Sequence, residues 1–155
     1  MAGIMIELPG KGHVSLKELV LDLNGTLSLD GDLLPGVSER LRELAKHVHI
    51  TVLTADTFGK ARKSLKKVPV GVRIISTGAE KDLYVRALGP DKVIAVGNGR
   101  NDVDMIHAAA IGIAVIGPEG AAGDLLRVAD VVVGDIGSAL DLLLHPLRLK
   151  ATLRD

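Results

Sequence analysis

Short apolar runs rich in Val and Ile, four to six residues long, recur along the chain between amphipathic stretches. Few folds accommodate that alternation. Runs of this kind read as strands buried on both faces, and amphipathic stretches between them read as the crossover helices of βαβ units. The expected fold is therefore α/β: a Rossmann-like parallel sheet sandwiched by helices. The expected strands are Leu19 to Leu23, Ile50 to Thr54, Arg73 to Ser76, Lys92 to Val96, Gly112 to Ile116 and Val131 to Val133. The helices expected between and after them are Gly36 to Lys46, Gly59 to Lys66, Glu80 to Leu88, Asp102 to Ala109, Ala121 to Val128 and Ser138 to Leu144. The start differs. Ile4 to Leu8 and Val14 to Leu16 flank Pro9-Gly10-Lys11-Gly12, which predicts an N-terminal antiparallel β-hairpin leading into the first parallel strand. Arg148 to Asp155 reads as a frayed or docking end.

At 155 residues, with no linker, repeat or low-complexity tract, the chain is expected to form one domain, residues 1–155. Lys plus Arg and Asp plus Glu both number 19, so no excess charge favours nucleic acid or an acidic membrane surface. Phe58 and Tyr84 are the only Phe, Tyr or Trp residues, too few for a platform that stacks unpaired bases. Cysteine is absent, which excludes disulfides, thiolate metal sites and a Cys nucleophile. No apolar run approaches the roughly 20 residues of a membrane span, and the first residues lack the pattern of a signal peptide. A cytoplasmic protein is expected, without nucleic acid or membrane partners.

Sites in open parallel sheets form beyond the carboxyl ends of strands, and there the chain is strongly polar. Asp22-Leu23-Asn24-Gly25-Thr26 follows the first parallel strand, and Thr54-Ala55-Asp56-Thr57 follows the second. Lys81 opens a helix, and Gly97-Asn98-Gly99-Arg100-Asn101-Asp102 follows Val93 to Val96. A carboxylate, a hydroxyl, an ammonium and a second acidic loop are the parts needed for phosphoryl transfer through an aspartyl intermediate. Asp22 would attack phosphorus, Lys81 would neutralise the phosphoryl oxygens, and Thr54 would hydrogen-bond one of them. A hard divalent cation, Mg²⁺, would let two anions meet.

These residues, in this order, resemble the haloacid dehalogenase superfamily, whose first motif reads Asp-x-Asp-Gly-Thr and whose last often reads Gly-Asp-Gly-x-Asn-Asp. Thr54-Ala55-Asp56 is similar to the Thr-Gly-Asp segment of P-type ATPases, so the soluble, P-type-ATPase-like branch is the nearest match. The short stretch after Thr26 and the lack of a later long insertion leave no room for a cap domain. The resemblance implies a capless phosphohydrolase with Asp22 as nucleophile, Thr54 as phosphate ligand and Lys81 as stabilising cation. It implies Asp22, Asn24 through its main-chain carbonyl, Asn98 and Asp102 around Mg²⁺. Two positions depart from the pattern: Asn24 stands where phosphatases carry the Asp that exchanges protons, and Asn98 where a carboxylate ligates the metal. An amide at 24 forgoes general acid and base catalysis, typically worth about 10²- to 10⁴-fold, so turnover is expected to be slow. An amide at 98 offers oxygen without charge.

The resulting expectation is a Mg²⁺-dependent phosphatase acting through phospho-Asp22 on a small phosphorylated molecule, its open site closed by the short Leu27 to Leu34 hairpin or by another subunit, with a homo-oligomer expected. The alternative is a phosphate- or nucleotide-binding regulatory module that kept the fold and lost turnover. A receiver-type signalling domain fits less well, because Leu19-Val20-Leu21 precedes Asp22 where such domains carry paired acids. Gly117 to Gly123 is glycine-rich but is not followed by the Lys-Ser or Lys-Thr of a phosphate loop.

Overall fold

The computed structural model describes residues 1–155. Six parallel strands form the central sheet: β3 (Glu18–Asp22), β6 (His49–Thr54), β7 (Gly71–Ile74), β8 (Val93–Gly97), β9 (Ile111–Val115) and β10 (Val131–Val133). Their spatial order is β10-β9-β8-β3-β6-β7. The chain therefore builds outward from β3 to one edge through β6 and β7, then returns to the other side of β3 with β8. This reversal makes the carboxyl end of β3 the topological switch point, where the loops on its two sides part and open a crevice. Asp22 is the last residue of that strand.

Two apolar layers sandwich the sheet, and the two-residue period of β3 decides which side chain joins which layer. Leu19 and Leu21 belong to the larger core, with Val37, Leu41 and Leu44 of α1 (Val37–Leu44) and Ile136, Leu140 and Leu143 of α6 (Ile136–Leu144). Val20 faces the smaller core, with Val85 of α3 (Gly78–Leu88), Met105 and Ile106 of α4 (Val103–Ala108) and Leu125 of α5 (Gly123–Val128). Two residues on, Asp22 continues the Val20 row, so its carboxylate is directed to the face covered by α3. Lys81 approaches from there. Across the opposite face, Arg40 of α1 grips Asp141 of α6 with two hydrogen bonds, of 2.8 and 3.2 Å.

The expected hairpin forms from β1 (Ile4–Leu8) and β2 (Gly12–Leu16), antiparallel, with Ile4, Ile6 and Leu8 buried and Met5 and Glu7 outward. Between β3 and α1 the chain makes only β4 (Ser28–Leu29) and β5 (Asp32–Leu33). Their turn residues Asp30 and Gly31 both have positive φ, 52° and 88°, as a two-residue Asp-Gly hairpin turn requires. α2 shrinks to Ala61–Ser64.

Most element ends differ from expectation by a residue or two, and three departures have clear local reasons. β7 starts at Gly71 rather than Arg73, because Gly71 to Ile74 pair in register with Thr51 to Thr54. α3 starts at Gly78 rather than Glu80, because the Thr77 hydroxyl accepts the Glu80 N–H (3.2 Å) and donates to the Glu80 carboxylate (3.1 Å). The C-terminal segment is an eight-residue helix, α7 (Pro146–Leu153), started by Pro146 in its first turn. It docks on the hairpin strand β1, burying Leu149 completely, with Lys150 reaching Glu7 at 3.2 Å.

Candidate active site at the end of the central strand

Four loops meet at the carboxyl end of β3 around a polar cavity of about 240 Å³. Asp22, Asn24, Thr54, Lys81 and Asn98 line it, together with Glu119. Each is brought there by a local device. The turn after Asp22 is closed by the Leu23 carbonyl, which accepts the N–H groups of Thr26, Leu27 and Ser28. That turn folds the Thr26 hydroxyl back over Asp22. Gly25 has φ 81°, and a Cβ there would lie 2.7 Å from Asn98 Nδ2, so glycine is required both by conformation and by space. On β6, the Thr54 hydroxyl accepts the Asp56 N–H at 2.9 Å, while Asp56 caps α2 by accepting the Ala61 N–H at 2.9 Å. Capping therefore falls to Asp56, and the Thr54 O–H proton is left to donate into the cavity.

Lys81 is 1% exposed, and its ammonium lies between two carboxylates, 3.0 Å from Asp22 Oδ1 and 2.7 Å from Asp102 Oδ1. The Thr77 cap sets the start of α3 and hence the position from which Lys81 extends. Asp102 is fully buried behind it and does not line the cavity. Its second oxygen accepts the N–H groups of Asn98 (3.1 Å) and Gly99 (3.0 Å). Gly97 is what lets Asp102 sit there, since a Cβ at 97 would overlap the Asp102 carboxylate. Both Asp102 oxygens are committed, so the carboxylate holds Lys81 and the 97–102 loop instead of facing the space where a ligand would enter.

Two buried anions share one buried cation, and the titration of the groups reflects it. Burial, then the negative charge of Asp102, push the Asp22 carboxyl up to about 6, against the pull of Lys81 and its hydrogen bond. Burial alone would lower the Lys81 pKa, but Asp22 and Asp102 outweigh it and raise it above its ordinary value. Lys81 therefore stays an ammonium at neutral pH.

The groups that could hold a cation are Asp22, Asn98 and the main-chain carbonyl of Asn24. No three His, Cys, Asp or Glu side chains converge on one point, so any such site uses mixed oxygen donors. The geometry accommodates one. The single Thr26 proton faces two acceptors, Asp22 Oδ2 at 3.1 Å and Asn98 Oδ1 at 3.2 Å, and can serve only one at a time. An oxygen with a spare lone pair is thus left beside the cavity, which suits a hard cation. The Asn24 side-chain oxygen accepts the Ser28 hydroxyl at 3.1 Å.

Sequence reasoning gave no role to Thr26, Thr77 or Glu119. Thr77-Gly78-Ala79-Glu80 carries the Thr-x-x-Glu signal of a capping box, which would have placed the start of α3. Nothing local marks Glu119, whose position depends on how the loop after β9 folds back.

Comparison with known proteins agrees with this architecture. The profile of the haloacid dehalogenase-like hydrolases matches residues 56–135. Over 64 residues the chain is 55% identical to the uncharacterized protein MJ0073 of Methanocaldococcus jannaschii, covering 41% of this chain and 69% of that one. Among solved structures, the 3-deoxy-D-manno-octulosonate 8-phosphate phosphatase of Moraxella catarrhalis, in complex with magnesium, phosphate and its sugar, superposes with a TM-score of 0.70. The pair share 17% identity over 90% of this chain and 94% of that one. The catalytic domain of the CPx-ATPase CopB-B superposes with a TM-score of 0.61 at 23% identity, over 72% of this chain and 45% of that one. With the family profile spanning half of its length, the chain belongs to the haloacid dehalogenase-like hydrolases.

Proposed function

We propose that the protein is a capless, Mg²⁺-dependent phosphohydrolase that acts through an aspartyl-phosphate on Asp22, on a small phosphorylated compound. One observation carries this reading: Asp22 is presented at the mouth of a polar cavity with Lys81 3.0 Å from one oxygen and Thr26 3.1 Å from the other. Such a carboxylate is fixed in orientation and flanked by donors that can serve a phosphoryl group equally well. The phosphate-bearing structural neighbour from Moraxella, which acts on a sugar phosphate by name, supports the same substrate class.

In the first step an Asp22 oxygen forms a bond to phosphorus as the ester oxygen leaves with its electron pair and takes a proton from water. Lys81 holds the nucleophile in place and offers positive charge to the phosphoryl oxygens, and the Thr54 hydroxyl donates to one of them. Mg²⁺, held by Asp22, Asn98 and the Asn24 carbonyl, would supply charge neutralisation between nucleophile and phosphate. In the second step water attacks phosphorus, inorganic phosphate leaves, and the Asp22 carboxylate is restored. Asn24 can give no proton to the leaving group and remove none from the water, so both steps run slowly.

The side chain of Asn24, tied to Ser28, also favours a second reading, a phosphate-binding module without turnover. Assay with Mg²⁺ and p-nitrophenyl phosphate or acetyl phosphate separates them. Slow turnover by the wild type, none by Asp22→Asn and an increase of about 10²-fold in Asn24→Asp support the phosphatase. Turnover by Asp22→Asn equal to the wild type would sink it, and activity confined to Asn24→Asp would favour the binding module. We also propose a cytoplasmic location and expect a second copy to shield the open cavity; no helix is long and apolar enough to cross a membrane.

A further inference from the structure

One carboxylate in the cavity has no task in the reaction above. Glu119 lies on the loop between β9 and α5, is exposed to solvent, and takes part in none of the protein's salt bridges. The loop is nonetheless held firmly. Gly117 and Gly120 bridge each other, with the Gly120 N–H bonded to the Gly117 carbonyl at 2.9 Å, and Gly120 takes φ 74°. The Asn98 side-chain amide donates to the Gly120 carbonyl at 3.1 Å, and the Ala122 N–H donates to the Asn98 carbonyl at 2.8 Å. Gly117 packs so closely on the first motif that a Cβ there would lie 3.0 Å from the Gly25 carbonyl oxygen. As a result the Glu119 carboxyl carbon and the Asn98 amide flank the same point: a Cβ on Gly25 would be 3.0 Å from Glu119 Cδ and 2.7 Å from Asn98 Nδ2.

We propose that Glu119 supplies the second negative charge of the divalent-cation site, in place of the charge that Asn98 lacks. The inference rests on the cation-dependent reading above. Its charge accounting is direct. Lys81 and Asp102 cancel inside the protein, which leaves Asp22 and Glu119 as the two carboxylates lining the cavity. A divalent cation beside Asp22 and Asn98 neutralises that pair. Because Mg²⁺ keeps several of its waters, a carboxylate at the rim can act on it without entering the protein interior. Position beside Asn98 and Gly25 assigns Glu119 to the cation in preference to the proton exchange that Asn24 cannot perform.

The test is Mn²⁺ binding to chelator-stripped protein, read as the loss of the free-ion electron paramagnetic resonance signal, with no substrate present. Wild type is compared with Asp22→Asn, Glu119→Gln, Asn98→Asp and the Glu119→Gln/Asn98→Asp double variant, each checked for wild-type circular dichroism. The expectation is that Glu119→Gln weakens binding by about 10- to 100-fold, the scale on which groups tuning a metal site act, and that adding Asn98→Asp restores most of it. Wild-type affinity in Glu119→Gln, while Asp22→Asn is impaired, overturns the role of Glu119 and leaves the cation site standing. A loss in Glu119→Gln that Asn98→Asp does not restore overturns the charge argument. Equal binding, or none, by wild type and Asp22→Asn overturns the cation site itself and Glu119 with it.

Discussion

Replacing Asp22 by Asn is expected to stabilise the metal-free protein while removing its chemistry. Asp22 and Asp102 compete for one ammonium, and the folded protein holds the Asp22 carboxyl at about 6, against an ordinary value of 3.8. A carboxyl whose pKa is raised by folding favours the folded state in its protonated form. That contribution is complete below about pH 3.8 and is lost as pH rises through about 6. At about 1.4 kcal/mol per pH unit, the ionised side chain costs about 3 kcal/mol at pH 8 and about half of that at pH 5. Asparagine removes the charge but keeps the shape and one acceptor oxygen. Its one acceptor oxygen can serve Lys81 or Thr26 but not both, because the NH₂ accepts from neither, so part of the gain is returned. A net stabilisation of about 1–2 kcal/mol at pH 8, and less at pH 5, is expected. Urea unfolding in EDTA, followed by far-ultraviolet circular dichroism because the chain has no Trp, measures it at both pH values. A variant less stable than wild type at pH 8, or a difference independent of pH, would refute the reasoning. At the proposed cation site, adding Mg²⁺ should then stabilise the wild type alone, since only the form that keeps the Asp22 carboxylate gains from binding.

Lys81→Met should destabilise by about 3–5 kcal/mol in the same unfolding experiment, because it leaves Asp102 buried without a cation, and should abolish the proposed phosphatase activity. Gly97→Ala should cost about 1–3 kcal/mol, since the added methyl overlaps the Asp102 carboxylate, and should lower turnover by moving Lys81 with it; an unchanged melting temperature would contradict the close packing. Leu149→Ala should cost about 2–5 kcal/mol and release α7. Hydrogen exchange would show protection lost first over residues 146–153, and uniform loss across the sheet would mean that α7 is not a separate docking element.

The sheet was legible because each strand is a short apolar run, and the carboxyl ends were legible because polar residues crowd there against the trend of the chain. Asp22, Lys81 and Asp102 each stood out through spacing in a motif, but the division of labour among them did not. Only the packing shows that Asp102 spends both oxygens on Lys81 and two backbone N–H groups. α7 was legible only as a frayed or docking end, not as a helix, for a different reason. Arg148-Leu149-Lys150 carries one core residue between two charges, and its burial is decided by a hairpin more than a hundred residues earlier. Glu119 is the extreme case, as its place in the cavity depends on hydrogen bonds between its loop and Asn98 that no local pattern encodes.

The two amides at the site are not equivalent losses. An amide at 24 cannot exchange protons, and its side-chain oxygen accepts a hydrogen bond from Ser28. Asn98 gives up a charge but gains a donor: its NH₂ bonds the Gly120 carbonyl, an acceptor that a carboxylate would repel. The amide orientation follows from that partner, because a carbonyl can only accept, and it leaves Oδ1 turned to Thr26 and the cavity. The same substitution that lowers the charge at position 98 therefore ties down the loop that carries Glu119 to the neighbouring rim. Asp at 98 would add charge at one side of the proposed cation site and loosen the loop that carries the other charge, Glu119. Asn98→Asp alone is accordingly expected to raise Mn²⁺ affinity by less than it does in the Glu119→Gln background. If the two gains proved equal, positions 98 and 119 would be acting independently, and the link between them drawn from the Gly120 bond would be wrong.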